Sequence, residues 1–363
     1  MLLKDTLLRV LKASSWCKTK SKVVGLVRLN SRNVIFIDGS GKEAKPKLII
    51  TQGMPKEIIN RLSPNFDIYH HNSEMPIRTA DFLREVKGAT AVYTLLNTKI
   101  DKEVLDTAGP SLKVVATMSV GYDHIDVAEC RKRGIILGYT PGVLTDATAD
   151  TNIMLMLATS RRLIESANAV RNGEWGTWKP FWMCGQGIKD HTVGIIGMGR
   201  IGKAVGERLR PFNPKKILYS VGPNTEQPPS WSKSARLDSI LRSADFVTIT
   251  CDLTPETKNM FNKDTFKQMK RNSILVNTSR GPIVNMDDLY NALKKGHIAG
   301  AGLDVTVPEP LPTDHKLLSL NNCVILPHIG SADVQTRMGM ANLTVDNILA
   351  WATGKKLPAE IPY

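Results

Sequence analysis

Val193-Gly194-Ile195-Ile196-Gly197-Met198-Gly199-Arg200-Ile201-Gly202 is the stretch that decides how this chain folds. The apolar run His191–Ile196 reads as a strand buried on both faces. It enters a G-x-G-x-x-G turn and then a helix predicted from about Ile201 to Leu209. In that strand–turn–helix setting the glycines have separate jobs. Gly197 permits the tight turn, Gly199 lets backbone approach a pyrophosphate, and Gly202 allows close helix–strand packing. Free N–H groups and the helix dipole then face the phosphates.

Outward from this turn the pattern alternates between short apolar runs and amphipathic stretches. Upstream, strands are predicted at Lys47–Thr51, Ala91–Leu96, Lys113–Met118 and Ile135–Tyr139, followed by one long helix from about Thr145 to Asn172. Downstream, they are predicted at Lys216–Ser220, Phe246–Thr250, Ile274–Asn277, Gly302–Val305 and Val324–Leu326, with a last helix over Ala332–Thr353. The expected fold is α/β: two doubly wound parallel-sheet domains, Rossmann-like and flavodoxin-like, with a cleft between them. Residues 47–144 and 332–363 form a discontinuous substrate-binding domain, and 145–331 the dinucleotide-binding domain.

A site for NAD commonly carries Asp or Glu roughly 20 residues beyond the glycines, on the ribose 2′-OH. Ser220 stands there instead. With no carboxylate to repel a 2′-phosphate, NADP(H) is favoured over NAD(H). Asn224, Thr225, Lys233 or Arg236 could meet that phosphate.

Three further groups follow predicted strands: Arg280 in Asn277-Thr278-Ser279-Arg280-Gly281, Glu309 in Pro308-Glu309-Pro310, and His328 in Pro327-His328-Ile329-Gly330-Ser331. In an open parallel sheet the carboxyl ends of the strands border the ligand crevice. The three types suit reduction of a small 2-keto acid. Arg280 can grip its carboxylate bidentately and help polarise the ketone. Protonated His328 can donate to the oxygen that gains charge, and Glu309 would favour and orient the imidazolium.

The bulk properties limit the alternatives. The 363 residues carry a net charge of +14, but eleven of the 48 basic and only three of the 34 acidic residues fall within residues 1–47. With no zinc-finger spacing and no aromatic RNA-binding signature, nucleic acid is not the expected partner. No apolar run of 18 residues suggests a membrane span. Five scattered cysteines without a C-x-x-C pair suit a reducing compartment, and no metal site is expected. Residues 1–46 read as a basic extension. Leu3, Leu7, Val10 and Leu11 share one helical face, as in a mitochondrial presequence, so a cytoplasmic or a mitochondrial location fits.

From about Lys47 to its end the chain resembles the D-isomer-specific 2-hydroxyacid dehydrogenases. The motifs carrying the resemblance are the glycine stretch, Asn277–Gly281, Gly302-Leu303-Asp304-Val305 with Pro308–Pro310, and Pro327–Ser331. Met118–His124, Trp178–Gly185 and Leu311–His315 are most similar to the branch that reduces glyoxylate and hydroxypyruvate in animals. The resemblance implies that Arg280, Glu309 and His328 are catalytic. It implies that Val120 and Gly121 hold the substrate carboxylate through backbone amides, and that Gly199, Arg200, Ile201, Thr278, Asp304 and Gly330 contact the cofactor. It further implies a homodimer in which Trp178 reaches into the partner subunit's active site. The products would be glycolate and D-glycerate. Two positions depart from that branch: Gly222 replaces an arginine expected at the 2′-phosphate, and Asp252 replaces a small neutral residue. The competing reading is a dinucleotide-sensing binding protein like the transcriptional corepressors of the same fold. The Trp178-Lys179-Pro180 loop argues against it.

Overall fold

The computed structural model describes residues 25–30, 33–37, 44–220 and 229–362, the first two spans by backbone alone. Strands β1 (Gly25–Asn30) and β2 (Asn33–Ile37) pair as an antiparallel ribbon inside the basic extension, where no strand was expected. The amphipathic face at Leu3–Leu11 lies outside the described residues.

Beyond the ribbon the chain divides into two compact units. One holds the described residues through Ala116, His124–Gly138 and the segment from Val345 on; the other holds Thr117–Asp123 and Tyr139–Thr344.

The first unit is built on β3 (Lys47–Ile50), β4 (Asp67–His70), β5 (Ala91–Thr94), β6 (Val114–Thr117) and β7 (Ile136–Gly138). They lie in the order β4-β3-β5-β6-β7, the flavodoxin-like doubly wound order. Helices α1 (Lys56–Leu62), α2 (Thr79–Glu85), α3 (Lys102–Ala108) and α4 (Val127–Lys132) make the connections. Strands β5 and β6 are buried at every position, which is why they stand out as apolar runs. Strand β4 was not expected. It is an edge strand with no fully buried residue, so Asp67-Ile68-Tyr69-His70 gives no apolar run. The chain's C-terminal segment closes the opposite edge: Ile361 N–H donates to Leu137 O (2.8 Å), and the Asn347 side chain sits where a Cβ at Gly138 would fall.

The second unit begins with α5 (Thr145–Ser160) and α6 (Leu163–Arg171), two helices where one was expected. Arg162 turns left-handed (φ 54°) and clasps Glu165 with two hydrogen bonds of 2.7 and 2.8 Å. The Ser160 carbonyl leaves the helical ladder to accept Gln186 N–H (2.9 Å), and a Cβ at Gly185 would come within 2.1 Å of that oxygen. The break is a tertiary contact with a distant loop, which helical periodicity does not report.

The seven strands are β8 (Thr192–Ile196), β9 (Lys216–Ser220), β10 (Lys233–Ser234), β11 (Phe246–Ile249), β12 (Ile274–Asn277), β13 (Gly300–Leu303) and β14 (Cys323–Ile325). The helices are α7 (Arg200–Leu209), α8 (Leu237–Ser243), α9 (Lys263–Gln268), α10 (Met286–Lys294) and α11 (Val334–Ala352). The sheet order β10-β9-β8-β11-β12-β13-β14 reverses direction between β8 and β11, which is the topological switch point. Alternate residues feed two cores. Val193, Ile195, Ile217, Tyr219, Phe246, Ile274 and Val276 pack with α5 and α7; Ile196, Leu218, Val247, Ile249 and Leu275 pack with α8, α9 and α10. Burial on both faces explains why these strands read as continuous rather than alternating apolar runs. Strand β13 starts two residues earlier than expected, because Gly300 and Gly302 carry no side chain to mark it; both lie against Thr159.

At the end of this sheet opposite the glycine turn, buried Asp245 ties three elements together. It accepts from Thr192 N–H (2.9 Å), Lys270 Nζ (2.9 Å) and Asn272 Nδ2 (3.2 Å). Burial pushes its carboxyl up, but these donors outweigh it and hold the group below the usual carboxylate range. Asp245→Ala is expected to cost about 2 kcal/mol of stability at neutral pH. Because the folded carboxyl titrates below the unfolded one, the contribution is complete above about pH 4 and is lost as the pH falls further. Denaturant melts of both proteins should therefore converge in acid.

Candidate active site

The glycine turn at the switch point leaves no room for side chains where the chain crosses itself. Gly197 has φ 102°, and a Cβ there would lie 2.6 Å from Cys251 N. A Cβ at Gly202 would meet Gly197 O at 2.1 Å. The same carbonyl accepts from Thr250 Oγ1 (2.6 Å), which fastens the turn to the strand across the switch point. Gly199 is different: a Cβ there would meet nothing within 4 Å, and no side chain caps α7. The first backbone bond of α7 runs from Lys203 N–H to Gly199 O, so the amides of Arg200, Ile201 and Gly202 precede its ladder. Open space beside an uncapped helix N-terminus fits a pyrophosphate.

Arg280 stands at the end of a turn built by β12. Asn277 Oδ1 accepts Ser279 N–H (3.0 Å), and Asn277 Nδ2 donates to Arg280 O (2.9 Å). The guanidinium is held by Nε on Asp123 Oδ1 (2.8 Å) and by Nη1 on Ser279 O (2.8 Å). Its Nη2 passes so close to Gly121 that a Cβ there would lie 1.6 Å away. Gly121 is braced in turn, its carbonyl accepting from Ser119 Oγ (2.7 Å), and that hydroxyl meets Thr117 Oγ1 (2.8 Å). A cationic fork beside exposed backbone is a natural carboxylate grip.

His328 follows β14 with a left-handed backbone (φ 55°). Asp304 sets that bend. Its carbonyl accepts His328 N–H (2.9 Å), and its buried carboxylate accepts Ile329 N–H (2.7 Å) and Gly330 N–H (2.8 Å). Burial raises the Asp304 carboxyl above its ordinary value, the two amides opposing. His328 Nδ1 meets Glu309 Oε2 at 3.0 Å, and Glu309 Oε1 accepts Thr306 N–H (2.9 Å). Burial pushes the Glu309 carboxyl up, but His328, the Thr306 amide and the charge of Arg280 outweigh it and hold it low. With Nδ1 committed to Glu309, Nε2 is the nitrogen left to exchange a proton with a ligand.

Arg280, Glu309, His328, Asp304, Gly121 and the three glycines therefore belong to the same unit, and the charge of Arg280 reaches Glu309. Thr278 is buried beneath the site, its hydroxyl bonded to Asn152 Nδ2 (2.9 Å). Ser220 accepts Gly197 N–H through its hydroxyl (3.3 Å), so it also steadies the turn. Lys233 lies on edge strand β10, and Arg236 pairs with Asp238 (3.4 Å). Gly222, Asn224 and Thr225 lie outside the described residues. Trp178 is 80% exposed. Three contributors were missed from sequence: Asp123 on Arg280, Thr250 on the glycine turn, and Asn152. Asn152 and Thr250 belong to no motif, and Asp123 lies within Met118–His124 but was given no role there. Among the described residues no cluster of His, Cys, Asp or Glu has the makings of a metal site, and no helix is long and apolar enough to cross a membrane.

The pattern recurs in known proteins. Residues 153–330 match the family model for the NAD binding domain of D-isomer specific 2-hydroxyacid dehydrogenases. The chain is 46% identical over 319 residues to the human glyoxylate reductase/hydroxypyruvate reductase, covering 87% of this chain and 97% of that one. This chain belongs to the D-isomer-specific 2-hydroxyacid dehydrogenases. Among solved members of the fold, a Thermus thermophilus protein superposes with a TM-score of 0.82 at 40% identity, covering 87% of this chain and all of that one (100%). An NADPH-dependent glyoxylate/hydroxypyruvate reductase from Sinorhizobium meliloti, solved with NADP and malonate, gives 0.76 at 31% identity, covering 88% of this chain and 97% of that one. In this dehydrogenase the Glu309–His328 contact lends itself to a direct test. Glu309→Gln keeps a hydrogen-bonding side chain but removes the charge facing the imidazolium. Turnover in the reduction direction should fall about tenfold or more, while the dinucleotide Kd stays within about twofold. Unchanged turnover would break the link between Glu309 and proton supply.

Proposed function

We propose that this dehydrogenase reduces glyoxylate to glycolate and hydroxypyruvate to D-glycerate, with NADPH as the preferred cofactor. The observation that carries the proposal is the pairing of a braced guanidinium at Gly121 with the His328–Glu309 dyad in one unit. Arg280 grips the substrate carboxylate, and the Val120 and Gly121 amides add donors to the same oxygens. A bound reduced dinucleotide supplies the hydride. As the keto oxygen becomes an alkoxide, His328 Nε2 gives it a proton and becomes neutral, while Glu309 keeps its charge throughout. Oxidation runs the same steps backwards, with neutral His328 as base. Ser220 in place of a carboxylate supports the phosphorylated cofactor, as does the NADP bound by the Sinorhizobium relative. The human relative and this bacterial one are both named as reductases, which favours the enzyme over a corepressor-like binding protein. Initial rates on both keto acids with NADPH and NADH test this directly. His328→Ala should lower turnover by at least about a hundredfold with dinucleotide binding nearly intact. Wild-type turnover by that variant, or a clear preference for NADH, would remove the corresponding claim.

The working unit in this proposal is a homodimer. Leu163, Ile164 and Val170 of α6, with Trp175, Trp178 and Phe181 of the following loop, are all at least 49% exposed. Apolar surface of this kind is commonly a partner site, and the same face of a second copy is the occupant that family membership supports. Light scattering should give twice the chain mass. Phe181→Asp should yield a monomer, and Trp178→Ala should remain dimeric but alter the KM for hydroxypyruvate.

A further inference from the structure

Beneath the turn that carries Arg280, the sheet is stapled to α5 by a polar group in an otherwise apolar layer. Asn152 is fully buried (0% exposed), flanked along its helix by buried Thr151 and Leu155. Its Nδ2 reaches Thr248 Oγ1 on β11 at 2.7 Å and Thr278 Oγ1, one residue past β12, at 2.9 Å. The two strands are parallel with Thr248 opposite Val276, so the period-2 alternation puts Thr248, Val276 and Thr278 on the face turned to α5. Each hydroxyl can donate or accept, so the staple holds for either orientation of the amide. The Asn152 Oδ1 atom has no hydrogen-bond partner among the described residues. Burying an amide with one atom unpartnered costs stability that an apolar side chain would not.

What the staple holds is specific. Thr278 is the residue between Asn277, whose amide closes the turn onto Arg280 O, and Ser279, whose hydroxyl donates to Cys251 O and whose carbonyl accepts from Arg280 Nη1. Asn277 braces the turn from within, and Ser279 from the β11 side. Only Asn152 braces it from the helix face among the described residues. We propose that Asn152 is a positioning residue for Arg280, acting through Thr278. It fixes the height at which β12 ends and hence where the guanidinium meets Gly121. The inference rests on the role assigned above to Arg280.

A mutant cycle with two readouts tests it. Asn152→Ala, Thr278→Val and the double variant are assayed for the KM of glyoxylate, and amide hydrogen exchange is followed in residues 277–283. Loss of one such hydrogen bond should raise the glyoxylate KM roughly fivefold in Asn152→Ala, with its dinucleotide KM unchanged and exchange in residues 277–283 accelerated. The double variant should be no worse than the worse single one, because both act on one link. An unchanged glyoxylate KM with only a lower melting temperature would reduce Asn152 to a packing residue and overturn the proposal, as would independent effects in the double variant. If the wild-type protein turned over neither keto acid, the reductase reading would fall, while the exchange measurement would still decide whether Asn152 holds the turn.

Discussion

Everything at this site depends on how closely three pieces of backbone approach at Gly197. The turn after β8, the first turn of α7 and the residues after β11 come together where neither Gly197 nor Gly202 could carry a Cβ. Thr250 Oγ1 then bonds the turn to the neighbouring strand. This closeness aims the unladdered amides of α7 over the carboxyl ends of β8 and β11. Farther along the same carboxyl edge of the sheet, β12 and β14 launch the loops bearing Arg280 and His328. A looser crossing would separate the phosphate site from the groups that act on the substrate, so the glycine constraint sets the distance between binding and chemistry.

The second unit was legible in sequence because its strands are buried on both faces. Lys216–Ser220 and Ile274–Asn277 were bounded to the residue, since two-sided burial demands continuous apolar runs. What escaped was structure fixed by partners far along the chain. The break between α5 and α6 depends on Gly185 and Gln186, and edge strands β4 and β10 have too little burial to leave a pattern. The site divides the same way. Arg280, Glu309 and His328 follow strands in recognisable turns. Asp123, Asn152 and Thr250 act on other residues from 157, 126 and 53 positions away, a relation that only the folded chain displays.

The two carboxylates around His328 show how one short region obtains different behaviour from like groups. Asp304 is buried and Glu309 is partly shielded, and loss of solvent alone would push both carboxyls up. At Asp304 burial prevails over the Ile329 and Gly330 amides, and the side chain's geometric work is to hold those two residues directly after the left-handed bend at His328. At Glu309 the imidazole, the Thr306 amide and Arg280 prevail, so a settled negative charge faces Nδ1. Asp304 therefore decides where the imidazole stands, and Glu309 decides which nitrogen carries the mobile proton. Exchanging the two environments would leave the histidine well placed but poorly charged, or well charged but misdirected. Environments that drive two acids apart are how a single fold assigns separate roles at one pH, and here the separation comes from the burial of Asp304 and from the His328 ring that bonds Glu309.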